Sequence, residues 1–409
     1  MSPVGSHRDG DDPFRFEYDP AVLRYGVDAV ADLSDELDAH DVERALVVCG
    51  STVGNTPAVI DPVRDGLGDR LGGVFAETTP AKTLSTAYDA MEAMEAADAD
   101  VLVSLGGGSS LDVAKVTSVL AVDDREPQAV GRELAETGTV SIPDGSLAPI
   151  VAVPTTLAGA DLSMVAGVTA SPDEERGLVD RQVSGGIGDP RLMPRAVVYD
   201  PALVATTPRN VLAGSAMNGF DKGIETLYAG KATPITDATA ARGLGLMQAG
   251  LLRLGEEGVN TDVLKPVLKG LLLVQYGISR PGDGTLSLIH AFGHGLTRTY
   301  AVQQGHAHAV VAPHVLRYLF EQVEGRRDLL ADALGAGDAD DPAAAVVERV
   351  TAVRGALDLP TRLRDVDGPD REEFPAVAED ILADSFVANG PADLDPTAEE
   401  IERVLDDAW

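Results

Sequence analysis

The chain has 409 residues, 44% of them hydrophobic, which is enough for two domains that each bury a core. Sixty-six acidic residues against thirty-two basic ones give a net charge of −34, and a field of that sign repels nucleic acids and anionic membranes. The sequence has no apolar run near the roughly 18 residues of a membrane span, and its single cysteine, Cys49, excludes internal disulfides and cysteine metal clusters. We therefore expect a soluble cytoplasmic protein.

The acidic residues are spread through amphipathic segments. Asp32, Asp35, Glu36 and Asp38 interrupt one helical pattern, so we expect them on a solvated face. Arginine supplies most of the positive charge, because lysine occurs only at positions 82, 115, 222, 231, 265 and 269. Acid-rich, lysine-poor surfaces suit proteins that stay soluble in concentrated salt, which predicts a halophilic source. Residues 1–12 are polar, do not resemble a signal peptide and are predicted to form a loose acidic tail.

Short apolar runs alternate with amphipathic helical segments up to about residue 205. The predicted helices of this part include 83–97 and 109–120. The strand-like runs are 45–49, 101–105, 150–153 and 196–199. This alternation predicts a parallel sheet covered by helices, in a Rossmann-like α/β domain over residues 13–207.

The pattern becomes entirely helical after Pro208. Apolar residues recur with helical period, and more helices follow after Val310. Thr397 and Glu400 form a capping-box pattern that predicts the start of the last helix. The first helices of this part are predicted at 209–230, 236–255, 262–278 and 284–297. We therefore expect an all-α C-terminal domain over residues 208–409.

A glycine run follows the buried strand pattern at 101–105. Gly106, Gly107 and Gly108 let the backbone turn tightly, and Ser109 or Ser110 can cap the helix that follows. Free N–H groups at a helix N-terminus form an anion site suited to a pyrophosphate. The run therefore predicts a dinucleotide site, against the alternative of a strand–helix turn with no ligand.

The string GGGSSLDVAK at 106–115 resembles the iron-containing alcohol dehydrogenase family, which shares its fold with glycerol dehydrogenase and dehydroquinate synthase. Further segments resemble this family in the same order: PTTLAGAD at 154–161, DPRLMP at 189–194, VYDPAL at 198–203, MNGFDKGIE at 217–225 and HAFGH at 290–294. The resemblance implies the dehydroquinate synthase-like fold and a nicotinamide cofactor. The residues expected at the cofactor are Gly50, Ser51, Thr52, Gly106, Gly107, Gly108, Ser109, Asp112, Thr155 and Thr156.

One branch of the family is closer than the others. The short PTT loop, Asn218 at a metal-site aspartate position and the run PRAVVYDP at 194–201 resemble maleylacetate reductases. Those enzymes reduce an aromatic ring-cleavage product and do not depend on bound iron. The resemblance therefore implies a reductase of an oxo-acid.

The family's four metal-ligand positions correspond to Asn218, Lys222, His290 and Gln304. Only His290 is a good ligand, and an ammonium at Lys222 would repel a divalent cation. We expect no bound divalent metal. A shifted site that uses Asp221, His290 and His306 is the alternative.

Asp221 and Glu225 form an i, i+4 acidic pair beside these positions. Their plain interpretation is a solvated or helix-capping role. The plain interpretation of Lys222 is a side chain that snorkels to solvent or pairs with one of these acids. The functional hypothesis is that it replaces the metal, since a desolvated ammonium can polarise a carbonyl electrostatically and donate a proton. The sequence leaves both open.

Hydride transfer to a carbonyl leaves an alkoxide that must gain a proton. His294 matches a histidine that the family keeps near the nicotinamide without ligating metal, and a core histidine is the plain alternative. His308 matches a second histidine of the maleylacetate reductases. The predicted catalytic residues are thus Lys222, His294, His290 and His308.

The end of the first long strand bears on the choice of cofactor. Relatives that prefer NAD carry an acid there, whereas this segment reads CGSTV at 49–53, so NADP(H) is favoured. A lysine that relatives place shortly before the D-P element is absent, and Ser184 or Gly185 stands there. We expect either weaker cofactor binding or compensation by Arg181.

The sequence thus predicts an enzyme, a metal-independent NAD(P)H-linked reductase of a carbonyl or oxo-acid. A metal-dependent alcohol or aldehyde dehydrogenase, a nicotinamide-using lyase or synthase, and a non-catalytic cofactor-binding protein are the alternatives. The expected partner is a small-molecule substrate, and the family suggests a homodimer or larger oligomer. Candidate clamps for an acidic substrate are Lys222, Arg242, Arg280 and Arg298.

Overall fold

The structure, a computed structural model, describes residues 14–19, 21–174, 176–280 and 284–409. The predicted tail at 1–12 lies outside the described residues. The chain divides into an α/β unit, Asp19–Thr156 and Ala160–Thr207, and a helical unit, Leu157–Gly159 and Pro208–Trp409 with residues 14–18. None of the described helices is long and apolar enough to cross a membrane.

The α/β unit is built on a six-stranded parallel sheet with the strand order β1-β8-β5-β4-β2-β3, and β6 and β7 form a separate antiparallel hairpin. Central strands read as continuous apolar runs, since helices bury both faces of a parallel sheet. The strands are β1 (Val22–Tyr25), β2 (Ala45–Gly50), β3 (Leu71–Thr78), β4 (Val101–Gly106), β5 (Ile150–Pro154), β6 (Val165–Ala170), β7 (Val183–Gly188) and β8 (Ala196–Tyr199).

Seven helices accompany these strands. They are α1 (Leu33–Ala39), α2 (Ser51–Gly54), α3 (Pro57–Leu67), α4 (Leu84–Ala96), α5 (Gly108–Leu120), α6 (Pro127–Thr137) and α7 (Pro201–Val204). Apolar side chains of α1 and α3 pack on the sheet in one core cluster that includes Leu33, Val63 and Val103. The expected solvated face of α1 is wrong at Glu36, which is 3% exposed and accepts a hydrogen bond from Arg24.

The helical unit contains nine helices among its described residues. They are α8 (Arg209–Tyr228), α9 (Pro234–Glu257), α10 (Thr261–Ile278), α11 (Leu288–Thr297), α12 (Gln304–Gln322), α13 (Arg327–Ala333), α14 (Pro342–Ala356), α15 (Phe374–Leu382) and α16 (Ala398–Ala408). Close approach of α9 and α10 depends on glycine, because a Cβ at Gly270 would lie 2.5 Å from the carbonyl oxygen of Gly243.

The fold class predicted from the sequence is confirmed, with local corrections. The predicted strands and the Thr397 capping box are present. The patterns missed β1, β3, β6 and β7. Two predicted helix starts are wrong: α11 begins at Leu288 rather than at 284, and Gly107 rather than a serine occupies the N-cap of α5.

Candidate active site

The glycine run lies at the point of the sheet where the chain reverses its direction of winding. From the adjacent strands β2 and β4, the chain continues to β3 on one side and to β5 on the other. Ligands of open α/β sheets bind at the carboxyl ends of the strands at such a switch point. Gly106 ends β4 and Gly50 ends β2, so both lie at this edge.

Backbone geometry requires glycine at the start of this loop. Gly106 has a φ of +136°, and a Cβ at Gly107 would lie 3.1 Å from Cγ2 of Thr156. No side chain of the described residues caps α5, so its first N–H groups are available to a ligand. A phosphate can therefore approach the backbone at the helix N-terminus.

The other predicted cofactor residues lie around this loop in the α/β unit. Thr155 is 4% exposed and donates its backbone N–H to the carbonyl oxygen of Gly106. Ser51 and Thr52 are exposed in the first turn of α2, which directly follows β2. Ser109 lies in the first turn of α5 and is partly exposed.

Asp112, on the next turn of α5, is engaged by a residue that the sequence did not single out. Its Oδ2 accepts a hydrogen bond of 2.8 Å from Nζ of Lys82. The predicted substitute Arg181 instead donates to the carbonyl oxygen of Ala135. Lys82 therefore places a cation at the second turn of the helix that follows the glycine loop.

In the helical unit, Asn218 and Lys222 lie one turn apart on α8, as predicted. The segment 157–159 packs tightly on this helix: the N–H of Leu157 donates to Oγ of Ser215, and a Cβ at Gly219 would lie 2.2 Å from the carbonyl oxygen of Leu157. Oδ1 of Asn218 is buried without a hydrogen-bond partner among the described residues. The loop is thus fixed against the helix face that carries Lys222.

The ammonium of Lys222 is anchored by a backbone carbonyl. Its Nζ donates a hydrogen bond of 2.6 Å to the oxygen of Gly159. Gly159 has a φ of +66°, and a Cβ there would lie 2.6 Å from Nε2 of Gln275. The carbonyl that receives the ammonium therefore depends on glycine.

His290 is held by Glu225 through two contacts. The backbone N–H of His290 donates to Oε1 of Glu225 at 3.0 Å, and Nδ1 lies 2.5 Å from Oε2. Glu225 therefore caps α11 and orients the imidazole. With the Nδ1 proton directed to Glu225, the lone pair of Nε2 is left for another partner, and this atom has none among the described residues.

Burial shifts the pKa values of this pair in opposite directions. Burial raises the pKa of Glu225 to about 7, although backbone N–H groups of α11 partly oppose it. Burial holds the pKa of His290 well below its ordinary value, and the positive charge of Lys222 lowers it further. The charge of Lys222 therefore disfavours a second positive charge on His290.

His308 and Asp221 lie behind His290. The imidazole rings of His290 and His308 meet edge to face with their centroids 4.5 Å apart. Nδ1 of His308 lies 3.3 Å from Oδ2 of Asp221, and both side chains are 0% exposed. Because it has no exposed surface, we interpret His308 as a support for His290 rather than as a residue that contacts substrate.

The expected solvated role of the two acids is wrong. Asp221 and Glu225 are each 0% exposed. Burial raises the pKa of Asp221 well above its ordinary value, and the nearby Glu225 raises it further. Glu225 has the expected helix-capping role, whereas neither acid lies on a solvated face.

His294 is paired with a carboxylate that the sequence did not reveal. Nδ1 of His294 lies 3.0 Å from Oδ2 of Asp384, which also accepts a hydrogen bond of 2.5 Å from Arg298. Burial raises the pKa of Asp384, but its hydrogen bonds from His294 and the Phe386 N–H outweigh burial and leave the pKa lowered. His294 is 29% exposed, so this imidazole is accessible, unlike those of His290 and His308.

The shifted metal site is not formed. Within the described parts of the chain, no three His, Cys, Asp or Glu side chains are grouped so that they could hold a metal ion. Gln304 is the first residue of α12. The backbone N–H of His306 donates a hydrogen bond to the side chain of Gln303, which caps this helix.

Of the proposed substrate clamps, Arg280 is buried against the ring of Phe16.

A glycine loop at the switch point of a Rossmann-like sheet, followed in the same chain by a helical unit with a lysine and histidines, is typical of nicotinamide-dependent enzymes. Models of known families give the same result. The iron-containing alcohol dehydrogenase model matches residues 20–201, and the C-terminal model of the Fe-containing alcohol dehydrogenase family matches residues 212–409. The chain belongs to the iron-containing alcohol dehydrogenase family, as the resemblance implied.

Individual relatives match over nearly the whole chain. A maleylacetate reductase from Pseudomonas aeruginosa is 29% identical, with 97% of both chains covered. A lactaldehyde reductase from Escherichia coli K12 is 26% identical over 94% of this chain and 97% of its own. The crystal structure of a sulfoacetaldehyde reductase from Bifidobacterium kashiwanohense with NAD⁺ has a TM-score of 0.83 at 18% identity, covering 97% of this chain and 99% of its own. The family uses nicotinamide nucleotides, and this chain is similar to its maleylacetate reductase branch.

Proposed function

We propose that this chain reduces the carbonyl of a small oxo-acid or aldehyde with NAD(P)H, and that the ammonium of Lys222 replaces the family's metal ion. The observation that carries the proposal is the anchored ammonium of Lys222, held at 2.6 Å by the Gly159 carbonyl at one of the family's metal-ligand positions. A cation fixed before the reaction begins stabilises the negative charge that develops on the carbonyl oxygen.

The residues at the family's ligand positions do not fit a divalent metal ion. Lys222 contributes a positive charge, and Asn218 and Gln304 contribute neutral amides. Only Nε2 of His290 is a strong donor, and structural or catalytic metal sites use at least three such ligands. The proposed reduction therefore contains no step that uses a metal ion.

Proton delivery is assigned to His294. Asp384 accepts a hydrogen bond from its Nδ1 and thereby fixes the orientation and the tautomer of the imidazole. The accessible side of the ring can then give a proton to the alkoxide. His290 keeps a neutral imidazole whose Nε2 accepts a hydrogen bond, because burial and Lys222 both lower its pKa.

The glycine loop fits the diphosphate of a nicotinamide dinucleotide, because it leads into the N-terminus of α5, where no side chain of the described residues caps the first N–H groups. A bound reduced nicotinamide supplies the hydride. NADPH is the preferred form in this proposal, since Ser51 and Thr52 offer hydroxyl groups and no carboxylate where β2 ends.

A substrate panel tests the proposal. NADPH and NADH oxidation would be followed with maleylacetate, short 2-oxo acids, lactaldehyde and simple aldehydes, before and after exhaustive chelation. We expect turnover of at least one carbonyl compound that chelation does not change. Loss of activity on chelation that Fe²⁺ or Zn²⁺ restores would contradict metal replacement, and tight NADPH binding without any turnover would indicate a non-catalytic protein.

A metal-dependent alcohol or aldehyde dehydrogenase is the second candidate. Similarity to a lactaldehyde reductase favours it at the level of substrate. The same panel distinguishes the candidates, since this alternative requires metal-dependent turnover of a small aldehyde. A lyase or synthase of this fold would consume substrate without net oxidation of NADPH.

A further inference from the structure

We propose that Lys82 is a cofactor-binding residue whose ammonium contacts the anionic diphosphate–ribose part of the nicotinamide dinucleotide. The inference rests on the proposed use of this cofactor. It concerns residues of the α/β unit only, and the sequence patterns did not point to it.

The first observation is the position of the ammonium. Nζ of Lys82 lies 2.8 Å from Oδ2 of Asp112, on the second turn of the helix that follows the glycine loop. An ammonium has three N–H donors, and Asp112 is its only hydrogen-bond acceptor among the described residues. The Lys82 side chain is 29% exposed. It can therefore donate to a ligand without first breaking its ion pair.

The second observation is how the chain holds Lys82 there. The residue has a φ of +53°, in the left-handed region, within a turn closed by the bond from its N–H to the carbonyl oxygen of Thr79. Thr169 of β6 fixes this turn, because its N–H donates to the Lys82 carbonyl oxygen and its hydroxyl to that of Ala81. The lysine is thus tied to the β6–β7 hairpin.

The third observation is space left for the ammonium on that hairpin. A Cβ at Gly167 would lie 2.6 Å from Nζ of Lys82 and 3.5 Å from Oδ2 of Asp112. Gly167 pairs with Gly186, so neither strand covers the ammonium with a side chain at this point. The bare backbone of Gly167 therefore leaves the room that the ammonium occupies.

Ser184 lies on the same face of the hairpin. It pairs with Thr169, and directly paired residues of antiparallel strands project to the same side. Gly167 is two residues from Thr169 and shares that side. The ammonium of Lys82 therefore lies on the side of the hairpin that carries Ser184.

Binding measurements test the role without depending on turnover. The Kd of NADPH would be measured by calorimetry for the wild type and for Lys82→Ala. Loss of a hydrogen bond to a charged group raises Kd by about 10- to 100-fold. Lys265→Ala is the matched control, because Lys265 forms an ion pair of the same 2.8 Å length with Asp262 on α10. The Kd of NADPH for this control variant should equal that of the wild type.

Three further variants separate a ligand contact from a structural ion pair. Gly167→Ala keeps Lys82 but displaces its flexible end, so Kd should rise while the melting temperature stays near that of the wild type. Lys82→Ala/Ser184→Lys returns an ammonium to the same face and should recover part of the affinity. Ser184→Ala alone should bind as the wild type does.

An unchanged Kd in both Lys82→Ala and Gly167→Ala would overturn the assignment. A rise in Kd that is matched by unfolding and not recovered by Ser184→Lys would also overturn it, in favour of a purely structural ion pair. Wild-type protein that binds neither NADPH nor NADH would remove the proposed function, and the role of Lys82 with it.

Discussion

Nζ of Lys222 donates a hydrogen bond of 2.6 Å to the carbonyl oxygen of Gly159, so a residue of α8 is fixed by a loop 63 positions earlier in the chain. The positive φ of Gly159 and the tight packing of this loop on α8 fix the direction of the carbonyl. The bond holds a cation at one of the family's metal-ligand positions. The proposed metal-free reduction depends on this relationship.

The Asp384–His294 pair predicts a specific loss of turnover. Asp384→Asn keeps the shape of the side chain but removes the carboxylate charge that Nδ1 of His294 contacts. We expect kcat to fall by about 10²-fold, within the range that general acid–base catalysis supplies, while the Kd of NADPH stays unchanged. Asp380→Asn, at an exposed position of α15, is the control. Equal kcat values for the two variants would remove His294 from proton delivery.

Glu225 predicts a pH-dependent difference in stability. Its folded-state pKa is raised from 4.5 to about 7, so its contribution to stability is fully present below pH 4.5 and is lost as the pH rises through about 7. Relative to the wild type, Glu225→Gln should therefore gain stability across this window, by up to about 3 kcal/mol. Urea unfolding at several pH values measures the difference, with exposed Glu321→Gln as the control. A difference that is constant with pH would refute the raised pKa.

The proposed preference for NADPH should be reversible at the end of β2. Ser51→Asp places a carboxylate in the first turn of α2, where it would repel a 2′-phosphate and accept from ribose hydroxyls. We expect the Kd of NADPH to rise roughly tenfold relative to that of NADH. Ser51→Asn, which lacks the charge, should keep the wild-type ratio. If both variants keep the wild-type ratio of the two Kd values, the 2′-phosphate does not bind near Ser51.

The net charge of −34 predicts stabilisation by salt. Repulsion between surface carboxylates is screened as the Debye length falls from about 10 Å at 0.1 M to about 3 Å at 1 M salt. We expect the melting temperature to rise between 0.1 M and 2 M KCl. Choline chloride at the same concentrations should act similarly if screening is the cause. A melting temperature that is flat or falling with KCl would contradict the halophilic interpretation.

Regular elements were predictable where one pattern dominates. The run at 101–105 is apolar throughout and is followed by glycine, and it forms β4. In contrast, β3 contains Gly72 and Gly73 and is only half-buried, and β7 contains Gly185 and Gly186. Glycine-rich strands have too few apolar side chains for a periodic signal. Their formation depends on pairing with neighbouring strands.

The candidate site was predictable only in its motif residues. Lys222, His290 and His294 were found because they occupy positions of family motifs. Asp384 and Gly159 were missed, since each contacts its partner only in the folded chain, 90 and 63 positions apart. The burial of Glu225 could not be predicted from the sequence either, because two acids at i, i+4 spacing give the same pattern on a solvated helix face and in a core.

The most direct measurement of the central claim is kcat of metal-stripped Lys222→Met with the best carbonyl substrate and saturating NADPH. Methionine keeps the length of the side chain without its charge. The proposal predicts a fall in kcat of about 10²- to 10³-fold, as for loss of one fixed electrostatic donor, with the Kd of NADPH unchanged and exposed Lys269→Met fully active. A metal-stripped Lys222→Met enzyme that turns over at the wild-type rate would contradict it.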